Sequence, residues 1–207
     1  MVVAVVAPPP FALSSPESQG DDALMAAIAQ GDTIAFRVLM ERWWPRVFAF
    51  LVRALAHRSD AEDLTQETFL RLVRAASRYE PEGRFAAWLF RIAGNLARAE
   101  MRRRRVRGWL TGVARVQDDA VLESLPAPRA FDPDGPLANA EIRAALAHAL
   151  ARLPERQRLA VLLRYFEDLP LREVAAALGI RERAAESLVA RGTARLRRAL
   201  AAHRPRP

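Results

Sequence analysis

Residues 60–107 read DAEDLTQETFLRLVRAASRYEPEGRFAAWLFRIAGNLARAEMRRRRVR, and two opposite chemistries meet within them. The opening DAEDLTQETFLRL is acidic and helical in pattern. At about 100° per residue, Asp60, Asp63 and Glu67 share a narrow face, with Ala61, Leu64, Thr68 and Leu72 as an adjoining stripe. The stripe predicts packing on other helices, leaving the carboxylates and Gln66 outside as an anionic edge. Two readings of that edge stand. It is a solvated face with first-turn acids favoured by the helix dipole, or a dock for a cationic protein surface. Paired carboxylates also suit acid–base catalysis, but no adjacent His, Gly-rich loop or metal-ligand cluster accompanies them. Ser59 is the expected N-cap of this helix, with Glu62 at the capping-box spacing.

The second half is aromatic and basic. Tyr79-Glu80-Pro81-Glu82-Gly83 punctuates the chain as a loop, and a long helix is expected from about Phe85 to Arg107. Phe85, Trp88, Leu89, Ile92 and Leu96 recur at helical spacing and predict a core face. Arg84, Arg91 and Arg98 repeat every seven residues along one side. Arg102, Arg103, Arg104, Arg105 and Arg107 then crowd the C-terminal end. A few cations there complement the helix dipole; five exceed that need, and phosphate binding accounts for them more economically. Asn95 sits amid apolar residues and arginines, either facing solvent or placed to read a base edge.

Working outward, Asp22 is expected to cap a helix carrying Leu24, Met25 and Ile28. Gly31-Asp32 interrupts it before a second run with Phe36, Leu39, Trp43, Val47, Phe48 and Leu51. After Trp109 the pattern fades into LTGVARVQDDAVLESLPAPRAFDPDGP, which carries four prolines and reads as a linker. Helical periodicity returns from Leu137 to His203, broken at Leu153-Pro154 and Gly179. The organisation predicted is a disordered leader (1–21), a helical unit (22–108), a linker (109–136), a second helical unit (137–203) and a short tail (204–207). The fold class is all-α: two small helical domains joined by a flexible linker.

Composition narrows the function. A 207-residue chain that is 51% hydrophobic can bury one modest core or two small ones. Its net charge of +8 favours a polyanionic partner. All 32 basic residues are Arg, and there is no Cys, which removes disulfides and thiolate metal sites together. No apolar run reaches the length of a membrane span, and the N-terminus lacks a basic n-region. The chain is expected to be cytoplasmic, with no membrane insertion and no metal or other cofactor.

The segment LPERQRLAVLLRYFEDLPLREVAAALGIRERAAESLVARGTARLRRAL completes the picture. A helix from Pro154 to Phe166 leads to a turn at Glu167-Asp168. A short helix, Pro170 to Leu178, ends at Gly179 in an expected left-handed position. A longer helix follows from about Glu182, bearing Arg191, Arg195, Arg197 and Arg198. Short helix, Gly-containing turn and long basic helix form a helix-turn-helix pattern.

In their order and spacing, these three blocks resemble bacterial sigma factors of the extracytoplasmic-function (ECF) group of the sigma-70 family, over about three-quarters of the chain. The resemblance implies that residues 22–108 form sigma region two, a helical bundle, and residues 137–203 form region four. It implies that Asp60, Asp63, Gln66 and Glu67 dock on the β′ clamp helices of core RNA polymerase, with the β flap as a further contact. The helix from Phe85 is then expected to melt the promoter's minus-ten element and capture a flipped base. Arg84, Trp88, Arg91, Asn95, Arg98, Arg102, Arg103, Arg104 and Arg105 are its expected DNA contacts. The resemblance implies that Asn95 helps hold the base and that the loop 77–84 shapes its pocket. Asp118, Asp119, Glu123, Asp132 and Asp134 suit, by charge alone, a linker threading a basic RNA path. In region four, Arg181, Arg183, Glu186, Ser187, Ala190 and Arg191 are expected on the minus-thirty-five element. Here the chain departs from the family: Arg181–Glu186 replaces a small-residue cap and a basic residue, and Leu188 stands where Arg is frequent. An anti-sigma factor is the expected regulator.

Two other classes fit these features less well. A helix-turn-helix repressor or activator leaves the acidic edge and the Arg-rich aromatic helix without a role. An enzyme is disfavoured by only three histidines, His57, His148 and His203, and no ligand cluster.

Overall fold

The computed structural model describes residues 20–111 and 140–201. Most of the expected leader, the linker with its five acids, and the tail lie outside the described residues. The chain forms α1 (Asp21–Ala29), α2 (Thr33–Leu55), α3 (Arg58–Ala75), a 3₁₀ turn (Ala76–Arg78) and α4 (Phe85–Thr111). It resumes with α5 (Ala140–Ala151), α6 (Glu155–Val161), a π turn (Leu162–Phe166), α7 (Leu171–Leu178) and α8 (Glu182–Leu200). Among the described residues, all regular structure is helical, as expected.

Leu24, Met25, Leu39, Val47, Phe50, Leu72, Leu89 and Phe90 are fully buried in the first bundle. Edge-on aromatic pairs knit it together: Trp43 with Phe85 at 5.4 Å and Phe50 with Phe90 at 5.1 Å between centroids. Buried Thr65 and Thr68 on α3 return their hydroxyls to the carbonyls of Ala61 and Leu64, so neither leaves an unpaired donor in the core. In the second bundle, α8 buries Ala185, Val189, Gly192 and Leu196, one residue per turn on a single face.

Local chemistry sets the ends, in two places not as expected. Asp32 caps α2, accepting from Ile34 N and Ala35 N at 2.8 and 3.0 Å. The N-cap of α3 is His57 and not Ser59: its Nδ1 accepts from Asp60 N at 3.4 Å, so the helix starts earlier than the capping-box spacing suggested. Asp22 does not cap α1, whose N-cap is Gly20; it lies in the first turn and is engaged elsewhere. The expected helix from Pro154 to Phe166 also splits, its second half widening into the π turn. Gly179 does end α7 in the left-handed region, with φ of 64°.

The bundles pack on one another, and their buried residues join in one apolar cluster. Helix α7 lies on α4, while α2 meets α5, α6 and the π turn. Polar stitches cross the same junction. Arg46 of α2 donates to the Glu167 carboxylate and carbonyl, each at 3.1 Å. Arg158 donates to the Ala54 carbonyl at 2.5 Å, and the Arg53 guanidinium lies 4.7 Å from the centre of the Phe166 ring.

Candidate polymerase and nucleic-acid interfaces

The amphipathic phase of α3 sorts its acids into two groups. Asp63 and Gln66 are exposed. Glu67 is partly exposed and pairs with Arg71 one turn on, at 2.7 Å. Asp60 faces inward instead: its carboxylate accepts from Arg104 of α4 and stands 3.6 Å from His57 Nδ1. The stripe bearing Asp63 and Gln66 continues into Leu70 and Val73, 53% and 44% exposed. The edge is therefore acidic at one end and apolar at the other. The spacing 63, 66, 70, 73 carries the signal for these two apolar residues in the sequence.

Beside the N-terminal end of α4 lies a cleft of about 270 Å³ lined by Arg78, Tyr79, Glu80, Glu82, Arg84, Trp88 and Arg91. Trp88 is half-buried. Its ring meets Tyr79 edge-on at 4.8 Å and leans on Phe85, so it is packed on one side and presented on the other. Arg84 precedes the helix, and its carbonyl accepts from Trp88 N at 3.1 Å. Glu80 and Glu82 share the cleft with the arginines, and Arg84 lies 3.8 Å from the Glu82 carboxylate; the half-exposed aromatic wall beside Arg78 and Arg91 suits a planar base attached to a phosphate chain.

Farther along α4, Asn95 is exposed and its amide oxygen accepts from Arg98. Burial, followed by the charges of Arg156, Arg102 and Arg91, holds the Arg98 guanidinium below the ordinary arginine range. The crowded helix end divides by phase. Arg102 and Arg105 are exposed, and Arg105 reaches Glu155 across the junction at 3.6 Å. Arg103 pairs with Glu100 at 2.6 Å. Arg104 points inward, bonded to Asp60, to Glu100 at 3.2 Å and to the Leu55 carbonyl at 2.8 Å.

On the opposite side of α8 from its buried residues, Arg183, Glu186, Ser187, Ala190 and Arg191 are exposed, with Arg181 at the N-cap. Arg191 Nε donates to the Ser187 carbonyl at 3.1 Å. Leu188 is half-buried against the core. Among the described residues, no group of three or more His, Cys, Asp or Glu side chains could hold a metal ion, and no helix is long and apolar enough to cross a membrane.

The Sigma-70 region 2 family model matches residues 39–107, and the Sigma-70 region 4 model matches residues 143–201. RNA polymerase sigma factor CarQ of Myxococcus xanthus is 37% identical over 176 residues, covering 85% of this chain and 95% of its own length. ECF RNA polymerase sigma factor BldN of Streptomyces coelicolor is 31% identical, covering 89% of this chain and 69% of the relative. Among solved structures, CnrH in complex with the cytosolic domain of CnrY aligns with a TM-score of 0.62 at 27% identity, over 88% of this chain and 97% of that one. Sigma factor RpoE in complex with anti-sigma factor NepR, from Bartonella quintana, shares the fold, with a TM-score of 0.64 at 23% identity over 82% of this chain and 98% of that one. A helical unit carrying an acidic edge and an aromatic cleft, followed by a helix-turn-helix, is thus matched by both family models and by relatives over most of this chain: the chain belongs to the sigma-70 family of RNA polymerase sigma factors, in the ECF group, whose members direct transcription initiation at promoters.

Proposed function

We propose that this chain docks on core RNA polymerase through α3 and opens the promoter with α4. Asp63, Gln66 and Glu67, extended by Leu70 and Val73, form the surface for the β′ clamp helices. The cleft between the 78–84 loop and Trp88 takes a flipped base of the minus-ten element, with Asn95 two helical turns farther along α4 and Arg91, Arg98, Arg102 and Arg105 along the strand. Helix α8 reads the minus-thirty-five element in a major groove, and region four also meets the β flap. The chain has no catalytic activity of its own and acts in the cytoplasm under an anti-sigma factor.

The observation that carries this reading is the arginine-lined cleft, walled by Trp88 and Tyr79, on the helix that follows the acidic edge. Melting needs an unstacked base held in a pocket and its strand held by cations. The edge itself carries carboxylates outward and ends in exposed apolar side chains, as a protein dock requires. Reversing Asp63 and Glu67 to Lys should abolish core binding with the helical content intact. Asn95→Ala should leave core binding unchanged and impair open-complex formation in transcription from purified components. The same core-binding defect in both variants would refute this division of labour. Tight operator binding without polymerase would favour a free-standing repressor or activator instead.

A further inference from the structure

Helix α1 precedes the residues matched by the region 2 model, which begin at 39. It nevertheless reaches the base cleft. Both oxygens of Asp22 are engaged by the loop that forms the cleft wall: Oδ1 accepts from the Tyr79 hydroxyl, and Oδ2 accepts from Gly83 N at 2.9 Å. These donors bracket most of the loop, and Tyr79 and Glu82 line the cleft directly. Gly83 has φ of +67°, a conformation glycine adopts without strain. The helix holding the carboxylate is itself anchored. Leu24, Met25 and Ile28 are buried, and the neighbouring Asp21 pairs with Arg42 of α2 at 2.6 Å.

We propose that Asp22 is a positioning residue for promoter opening: it clamps the 79–83 loop in the shape that accepts an unstacked base, so base selectivity depends on a carboxylate that touches no DNA. The inference rests on the base-pocket reading of the cleft. Tyr79 transmits the effect, because its ring packs edge-on against both Trp88 and Phe85, at 4.8 and 6.0 Å. Releasing the hydroxyl frees one wall of the cleft and loosens the other. Burial first, and then the bond to Asp22, push the Tyr79 phenol well above its ordinary range, so it remains a donor at any working pH. A hydrogen bond to an ionised carboxylate is among the stronger positioning bonds available to a loop.

The test uses the full chain on core polymerase, with fluorescent single-stranded promoter oligonucleotides carrying each base, or an abasic site, at the flipped position. The wild-type protein should discriminate among them. Asp22→Ala should lose about tenfold of that discrimination, the scale of one charge-assisted hydrogen bond. Core affinity and binding to minus-thirty-five duplex should be unchanged. Tyr79→Phe keeps the ring and should lose a smaller part, while the double variant should be no worse than Asp22→Ala. Asp22→Asn retains one acceptor and should fall between wild type and Asp22→Ala. Unchanged discrimination in Asp22→Ala, or in Tyr79→Phe if the first variant does not fold, overturns the clamp. Equal loss for every oligonucleotide together with loss of helix also overturns it, by marking Asp22 as structural. A wild-type protein indifferent to the abasic site instead refutes the pocket reading on which the clamp rests.

Discussion

Replacing Glu167 with Ala should separate the two bundles without unfolding either. The Glu167 side chain is only 3% exposed and lies 3.1 Å from Arg46 Nε. Its charge also faces Arg53, which is buried, with burial depressing its pKa to about 10 against the opposing pull of Glu167. Arg53 therefore stays cationic at neutral pH in a site that already disfavours charge. Removing the facing carboxylate from such a pair costs about 3–5 kcal/mol, because the remaining ion is left short of compensation. That penalty has an outlet. Arg53 belongs to α2 and Glu167 follows the π turn of the other bundle, so opening the junction rehydrates Arg53 while each core survives. At about 1.4 kcal/mol per tenfold, the open form should gain a hundredfold to a few thousandfold over the closed one. The chain has no native Cys, so single cysteines at Ser59 and Ala199 can carry a donor–acceptor dye pair. Glu167→Ala should lower transfer efficiency with the helical signal retained. The double change Arg53→Met with Glu167→Leu should restore part of the closure, since it removes the buried guanidinium, while Arg46 keeps its bond to the carbonyl of residue 167. Unchanged transfer with a lowered melting temperature would refute the argument, because it would place the pair's role inside one bundle.

A Cβ on Gly192 would meet Val161 Cγ2 at 2.6 Å and the Gln157 carbonyl at 3.3 Å; Gly192→Ala should therefore destabilise region four by about 1–3 kcal/mol in denaturant melts, where helix propensity alone predicts the opposite sign. Asp32→Ala removes the acceptor for two backbone donors of α2 and should cost about 1 kcal/mol by the same measurement, with DNA binding unaltered. Arg102→Ala should lower the salt-dependence slope of promoter binding by about 0.7–0.9, while Arg104→Ala should leave the slope alone and cost about 3 kcal/mol of stability, since Arg104 is bonded to Asp60 and Glu100.

What the sequence made legible tracks the range of the interactions concerned. Helices α3, α4, α7 and α8 were readable because amphipathic period and punctuation are local, and Gly179 marked its turn for the same reason. The exposed face of α8 was readable too, since its buried residues recur at a fixed helical phase. His57 displaced Ser59 as a cap because an imidazole nitrogen in reach of Asp60 N depends on the geometry of the incoming chain. The pairs that close the structure join residues 44, 57 and 121 positions apart: Arg104 with Asp60, Tyr79 with Asp22, and Arg46 with Glu167. No periodicity reports such pairings. Asp22 was for that reason read as a cap, and Asp60 and Arg104 as members of surface clusters.

The Asp60–Arg104 pair bears on how the proposed interfaces work together. Read from sequence, each residue belongs to a different task, one to the protein dock and one to the DNA strand. In the fold each faces the other, and Arg104 also takes Glu100 and the Leu55 carbonyl, tying α3 to α4 and to the end of α2. A packed helix pair transmits displacement because close-packed interiors do not deform continuously. Under the proposed docking, fixing α3 would also fix the orientation of α4, and with it the cleft at the other end of the same helix. One carboxylate from the edge and one guanidinium from the basic end thus hold the remaining groups of both clusters in a set relation. The helix proposed to take the base is thus restrained by Asp60 and Arg104, which face one another inside the fold while the remaining members of the two clusters face outward.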